Sequence, residues 1–411
     1  MLIKSLIKVI SPLFYSTTEM EEKSIMFLKK RFAEYYKKTD MELPERFGKR
    51  EFAFMHFGAK MMRRHIAFSK RSRFISFIQQ MIPAHIYYSS AFYQKPDAPT
   101  MGEKGWMGAE LIFDLDLDHL KNVKNIGYEE GLRIVKEEFK KLVEEFLIDD
   151  FGFQRNNLLL YFSGGRGYHC HVIDPRVFQL NGNERREIVD YIIGTGLNEE
   201  NVFKKRVIEK TRVRGKTMPK ISRLEIPRPD EPGWRGRVAR GIQTLVEEII
   251  TGKITVEQLK KYGITKNELK RLKQELTHER VQRIKEKSVL DQSPFIRRFF
   301  LKTAIQQAAI SSMAGETDEP VTCDVKRLIR LPTSLHGKTG LKVCKIPVDE
   351  LENFDPLSDA VVFNDEPVNV EVLKPIAICM KGESFSLSKG RHMVPEYLAV
   401  FLIARDIAKI M

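Results

Sequence analysis

Cysteine, tryptophan and long apolar runs are what this sequence has least of. Its four cysteines, Cys170, Cys323, Cys344 and Cys379, are scattered with no CxxC pair. That spacing excludes a disulfide framework and a zinc site built from neighbouring residues, and it points to a reducing, cytoplasmic compartment. No run of about 18 apolar residues occurs, so no membrane-spanning helix is expected. The opening MLIKSLIKVISPLFYS has the outline of a secretion signal, but Lys8 interrupts its apolar run and no small-residue cleavage site follows. Residues 1–19 therefore read as an extension ahead of the globular part. No internal repeat is visible.

Positive charge is abundant. Lys and Arg number 69 against 55 Asp and Glu, a formal charge of +14 that attracts polyanions, nucleic acid foremost. An ordinary lysine-rich surface has the same balance, so the chemistry has to come from motifs. At 411 residues, with 42% hydrophobic and 30% charged residues, the chain is globular and long enough for one large domain with an elaboration, or for two or three domains. One catalytic domain carrying a helical insertion is the arrangement we expect.

Along the chain, residues 20–38 place Ile25, Leu28, Phe32, Tyr35 and Tyr36 at helical spacing. Strand and turn patterns occupy residues 83–113. A helix is predicted over Tyr128–Leu147, its stripe of Leu132, Val135, Phe139, Leu142, Val143 and Phe146 being core packing. NLLLYFSGGRGYHCHVID then reads as strand, glycine-rich turn, strand. Strands return near LPTSLHGKTGLKVCKIPV, and a helix from about Val394 to Ile410 closes the chain. Between these, residues 183–310 read as charged helices, including ENVFKKRVIEKTRVRGKTMPKISR, with a break at IPRPDEPGW.

Three clusters can carry chemistry. In ELIFDLDLDHL, Asp114, Asp116 and Asp118 alternate, so a strand projects them from one face about 7 Å apart. Such carboxylates suit Mg2+ or Mn2+, and two ions about 4 Å apart serve phosphoryl transfer; a solvated acidic edge strand has the same pattern. In SGGRGYHCH, the turn at Ser163 to Gly167 can aim backbone N–H groups and a hydroxyl at a phosphate. Arg166 adds a bidentate donor and His169 a ring N–H, with His171 on the same face. A plain glycine hairpin reads equally well. In DVKRLIRLPTSLHGKTGL, Asp324 precedes Arg330, Ser334, His336 and Lys338, either as a third metal ligand among cationic triphosphate contacts or as a surface ion pair.

These three segments, in this order, resemble the signature blocks of the archaeal and eukaryotic DNA primase small subunit. The resemblance runs from about Met20 to the C-terminus and includes ERREIVDYI at 184–192. It implies an α+β primase catalytic fold, a mixed sheet flanked by helices, with the core at 20–180 and 320–411 and a helical insertion at 181–319. It implies that Asp114, Asp116 and Asp324 are the catalytic metal ligands, with Asp118 auxiliary. Ser163, Arg166, His169, Arg330 and His336 would grip the triphosphate, joined by Arg50 of KREFAF and, from its position, Lys338. The cysteine and histidine zinc motif common in the family between the aspartate pair and the glycine turn is missing, and His119 alone in 119–157 is a candidate soft ligand, so no structural zinc is expected. Implied partners are a large regulatory primase subunit, a single-stranded DNA template, and NTPs or dNTPs. Template contact is expected from the basic stretches 203–223 and 235–240, with Trp234 for base stacking. Alternatives are a primase-polymerase or end-joining polymerase of the same superfamily, or a non-catalytic nucleic-acid-binding subunit.

Overall fold

The computed structural model describes residues 21–119, 126–213, 216–253, 265–287 and 319–411, with isolated positions 295, 296, 298, 299 and 303. The expected extension, residues 1–19, lies outside them. So do the side chain of His119 and most side chains of the stretch 203–223.

In chain order the strands are β1 (Phe52–Met55), β2 (Arg63–Ile66), β3 (His85–Ser89), β4 (Ala91–Tyr93), β5 (Trp106–Ala109), β6 (Leu111–Asp116), β7 (Leu158–Phe162), β8 (Gly167–Val172), β9 (Lys204–Val213), β10 (Lys216–Glu225), β11 (Leu328–Arg330), β12 (Cys344–Ile346), β13 (Pro367–Val372), β14 (Ile376–Met380), β15 (Glu383–Leu387), β16 (Gly390–Pro395) and β17 (Ala408–Ile410). With the helices between them they make an α+β fold. Contacts divide the chain into two units. One comprises Met1–Lys140, Phe153–Arg186 and Glu316–Met411; the other comprises Lys141–Gly152 and Glu187–Gly315.

The first unit holds two four-stranded antiparallel sheets, ordered β11-β3-β1-β2 and β12-β7-β8-β6. Aromatic burial fixes the first sheet. Phe32 and Tyr36 of the helix over 21–38 pack with Phe52 and Phe54 of β1 and with Phe68 and Phe74, all buried, and an aromatic cluster of this size supplies much of the unit's hydrophobic stabilisation. In the second sheet all six residues of β8 are buried, as a central strand covered on both faces requires. Tyr168 stacks on Phe139 of the helix Tyr128–Lys141, ring centroids 5.4 Å apart.

One expected helical stretch is mostly strand, and the expected C-terminal helix is shorter than Val394–Ile410. Most of the stretch ENVFKKRVIEKTRVRGKTMPKISR lies in the antiparallel strand pair β9 and β10, with Lys216 paired to Val213. Its valines, isoleucines and threonines favour the extended chain, a signal masked by its density of charge. The second unit is therefore not purely helical. At the C-terminus, Pro395 ends β16 and opens a nine-residue helix, Glu396–Ala404, and the chain then reverses at Asp406 (φ 56°) into β17. Both strands pair with β13.

Within the second unit, Phe146 of the π-helical Leu142–Asp150 packs against Trp234 and beneath the Arg237 guanidinium, 3.8 Å from its ring centroid. This packing explains why Lys141–Gly152 belongs here and not to a core running unbroken to residue 180. Trp234 is 8% exposed and its Nε1 donates to the Tyr191 carbonyl at 2.7 Å, so it offers no stacking face to a base. Arg235, Arg237 and Arg240 pair with Glu231, Asp150 and Glu145, so the basic stretch 235–240 is largely neutralised by its own neighbours. Among the described residues no helix is long and apolar enough to cross a membrane.

Arg50 also departs from expectation. It is fully buried in the first unit. Its guanidinium donates to the carbonyls of Ser89 and Ser90, each at 2.8 Å, and pairs with Glu110 while lying 4.1 Å from the Phe92 ring centroid. Such engagement makes it a structural anchor and not a nucleotide contact. Removing one partner of a buried pair leaves the other charge uncompensated. Arg50→Ala should lower stability by about 3–5 kcal/mol in urea unfolding; a loss below about 1 kcal/mol would contradict this role.

Candidate active site

The two aspartates of β6 are positioned by pairing. In the antiparallel register of β6 with β8, Asp114 lies opposite His169 and Asp116 opposite Gly167, and residues directly opposite share a face. Leu111 to Phe113 and Leu115 are buried while both aspartates are half-buried, so the strand is anchored by its apolar residues and presents its acids. Asp118 does not continue the row. It falls in the 3-10 turn Leu117–His119, where its N–H donates to Asp116 Oδ1 at 3.0 Å. Gly167 is required by close approach: a Cβ there would lie 2.3 Å from the Leu115 carbonyl oxygen.

The turn between β7 and β8 is closed from within. Ser163 N–H donates to the Gly167 carbonyl (3.0 Å), and Gly165 N–H donates to Ser163 Oγ (3.2 Å). Gly164 has φ 74°, and a Cβ on it would come within 2.8 Å of His336 Cβ. The loop bearing His336 is docked on this turn: Thr339 Oγ1 donates to the Gly164 carbonyl, His336 N–H to Leu341 O at 2.9 Å, and Gly340 N–H to His336 O at 2.8 Å. Tyr128 donates its hydroxyl to the Gly165 carbonyl from the opposite flank. Arg166 leaves the turn to form an exposed ion pair with Asp118.

Arg330 comes from the other sheet. It ends β11, opposite Tyr87 of β3, with its guanidinium 5.0 Å from the Tyr87 ring centroid and Nη1 2.7 Å from His85 Nδ1. The Gly337 N–H donates to the same nitrogen at 3.2 Å, so His85 ties Arg330 to the His336 loop. Asp324 is exposed just beyond the short helix Glu319–Cys323, where Lys326 N–H donates to its Oδ1 at 2.9 Å.

These side chains line one cavity of about 900 Å³. Of the metal and nucleotide contacts that the resemblance or position suggested, all but Arg50 are there: Asp114, Asp116, Asp324, Ser163, Arg166, His169, Arg330, His336 and Lys338; His171 and Ser334 are buried outside it, on Glu110 and the Leu331 carbonyl. Motif reading missed His85, Arg64, Lys326, Arg327 and Arg405, which line it too. Among the described residues no group of three or more acidic, histidine or cysteine side chains is so placed that it could hold a metal ion by itself. A set of carboxylates open to one cavity is instead the donor set that Mg2+ favours, since that ion keeps waters and takes one or two carboxylates plus substrate phosphates.

The histidines of the cavity are held neutral. Burial, then the charges of Arg330 and Lys338, push His85 down to about 3. Burial followed by His171 and Arg330 depresses His169, and burial followed by Arg330, His85, Lys338 and Arg405 depresses His336. His169 Nε2 is buried and has no hydrogen-bond partner among the described residues, so it is available to an anion entering the cavity. The pH consequence follows by linkage. Unfolded histidine takes up a proton near pH 6.5, whereas folded His85 resists until about 3. Its contribution is intact above pH 6.5 and is lost as pH falls through that window, costing up to about 1.4 kcal/mol per pH unit. Unfolding in urea at about pH 5 should therefore take up about one proton fewer in His85→Gln than in wild type; equal uptake would contradict a neutral His85.

Residues 113–349 match the DNA primase small subunit family, a span that opens inside the first motif block, one residue before Asp114, and holds the other two blocks whole. Full-length relatives agree. The protein described as DNA primase small subunit PriS in Methanothrix thermoacetophila is 42% identical over 408 residues, covering 95% of this chain and all of the relative. Its counterpart in Methanocella arvoryzae is 41% identical, covering 95% and 99%. That of Archaeoglobus fulgidus is 38% identical, covering 92% and 97%. The chain belongs to the DNA primase small subunit family.

Proposed function

We propose that this chain is the catalytic subunit of a primase and that the cavity is its nucleotidyl-transfer centre, joining nucleotides on a single-stranded DNA template. The observation that carries the reading is the convergence in one cavity of carboxylates from two distant blocks, Asp114 and Asp116 with Asp324, beside cationic and neutral donors suited to a triphosphate.

Asp114, Asp116 and Asp324 would hold divalent magnesium or manganese. Such ions, when bound, favour ionisation of the attacking 3′-hydroxyl and neutralise charge on the leaving oxygen. The remaining steps belong to the side chains. Arg330, fixed by His85 and Tyr87, and Lys338 meet the negative charge of the pyrophosphate as it departs. His169 and His336, being neutral, each offer a ring N–H to a phosphate oxygen without adding a further charge to a crowded cationic site. Arg166 reaches a phosphate by exchanging Asp118 for it, an inexpensive exchange because the pair is exposed. Burial of the Ser163 turn against the His336 loop keeps these donors at fixed spacing before substrate arrives, so little reorganisation is needed. The relatives' designation as a small subunit supports assembly with a large regulatory subunit.

Primer synthesis on single-stranded DNA, with no primer supplied and Mg2+ or Mn2+ present, tests the reading. Wild type should make short labelled strands, and folded Asp116→Ala should lose about a hundredfold or more of that activity. Ordinary synthesis by the folded variant would remove the central assignment.

A further inference from the structure

Arg405 is one of the cavity residues that no motif predicts, and its surroundings are unusual for an arginine. The helix Glu396–Ala404 before it is buried from Glu396 to Ile403. After it, Asp406 N–H donates to Ile403 O (3.1 Å), Ile407 N–H to Leu402 O (2.9 Å), and β17 locks onto β13. The backbone at Arg405 is thus pinned from both sides. Its guanidinium lies 4.3 Å from the Tyr128 ring centroid and 5.3 Å from that of Phe401.

Ring faces hold a guanidinium in place but leave its edges unsatisfied. Among the described residues the buried Arg405 Nε has no hydrogen-bond partner and no carboxylate pairs with the side chain. Its charged neighbour is instead Arg166, which repels it. Two guanidiniums lining one cavity, one of them half-buried and unpaired, are costly unless an anion joins them. The Tyr128 ring under Arg405 also fixes the turn that carries Arg166, through its hydroxyl on Gly165. One platform therefore sets the spacing of both cations.

We propose that Arg405 is a phosphate-binding residue, gripping the outer phosphates of the incoming nucleotide together with Arg166. The inference rests on the nucleotidyl-transfer reading above. The rigid, ring-backed fork is suited to a bidentate contact with phosphate oxygens, and the chemistry it recognises is a polyphosphate, with a DNA backbone phosphate as the competing source.

The test is calorimetric binding of inorganic tripolyphosphate with Mg2+ to the full chain, alongside binding of a nucleoside monophosphate and of single-stranded DNA. Arg405→Met should weaken tripolyphosphate by about 10- to 100-fold, the loss expected for a charge-assisted contact, while the other two ligands change by less than about twofold. Arg405→Lys should fall between, because a point charge replaces the fork, and the KM for NTP in extension of a supplied primer should rise in step. Unchanged tripolyphosphate affinity overturns the proposal. So does an equal loss for all three ligands, which means a displaced turn, or a loss for DNA alone, which means a template contact. Should Arg405→Met fail to fold, Arg405→Lys decides, a change below about twofold counting against the proposal. If wild type binds tripolyphosphate through Arg405 yet incorporates no nucleotide, the polymerase reading fails while the phosphate site stands.

Discussion

The pairing of β6 with β8 is the constraint on which the site depends. Side chains along a strand alternate faces, so a slip of one residue would turn Asp114 and Asp116 toward the face where Tyr168 stacks on Phe139. Three features hold the register. Gly167 allows β8 to approach Leu115 more closely than any side chain permits. The apolar residues of β6 are buried on both sides of the acids. Glu110, immediately before the strand, is tied down by Arg50 and by His171 Nδ1 at 2.8 Å, and its backbone carbonyl accepts from Arg185 at 2.8 Å. Burial alone would raise the Glu110 carboxyl, yet the Arg50 guanidinium and His171 hold it below the usual range, so the anchor remains ionised.

From that register the rest of the cavity follows by docking. The His336 loop closes over the glycine turn through Thr339 and Gly164, and His85 links the same loop to Arg330 on the other sheet. Each contact fixes backbone before it fixes a functional side chain. The cationic density that results is tolerable because the histidines stay neutral and because the guanidiniums of Arg330 and Arg405 rest on aromatic faces.

Much of this was legible in the sequence because its determinants are local. Asp114 and Asp116 alternate in an apolar run, and a glycine-rich turn between two strand-like segments announces Ser163, Arg166 and His169. What could not be read is set by distance. His85 sits in an ordinary strand pattern and Arg405 follows an ordinary apolar helix; only tertiary packing brings them to a cavity whose lining runs from Met55 to Asp406 in the chain. Arg50 was expected as a nucleotide contact from the family resemblance of KREFAF, and nothing local in the sequence shows the pocket of carbonyls that buries it. The strand pair β9 and β10 was hidden because its charges suggested a solvated helix, although its β-branched residues already favoured strand. Trp234 was misread for the converse reason: aromatics beside arginines mark nucleic-acid surfaces, but here Phe146 and Tyr191 take both its ring and its N–H.

The central claim is that carboxylates from two distant blocks share the same ions. Counting bound Mn2+ by electron paramagnetic resonance, with a non-reactive NTP analogue present, tests it most directly in wild type, Asp116→Ala and Asp324→Asn. The account predicts about two ions per chain in wild type and loss of at least one in each variant. Full occupancy in Asp324→Asn would contradict it, leaving β6 as a metal site without its third ligand.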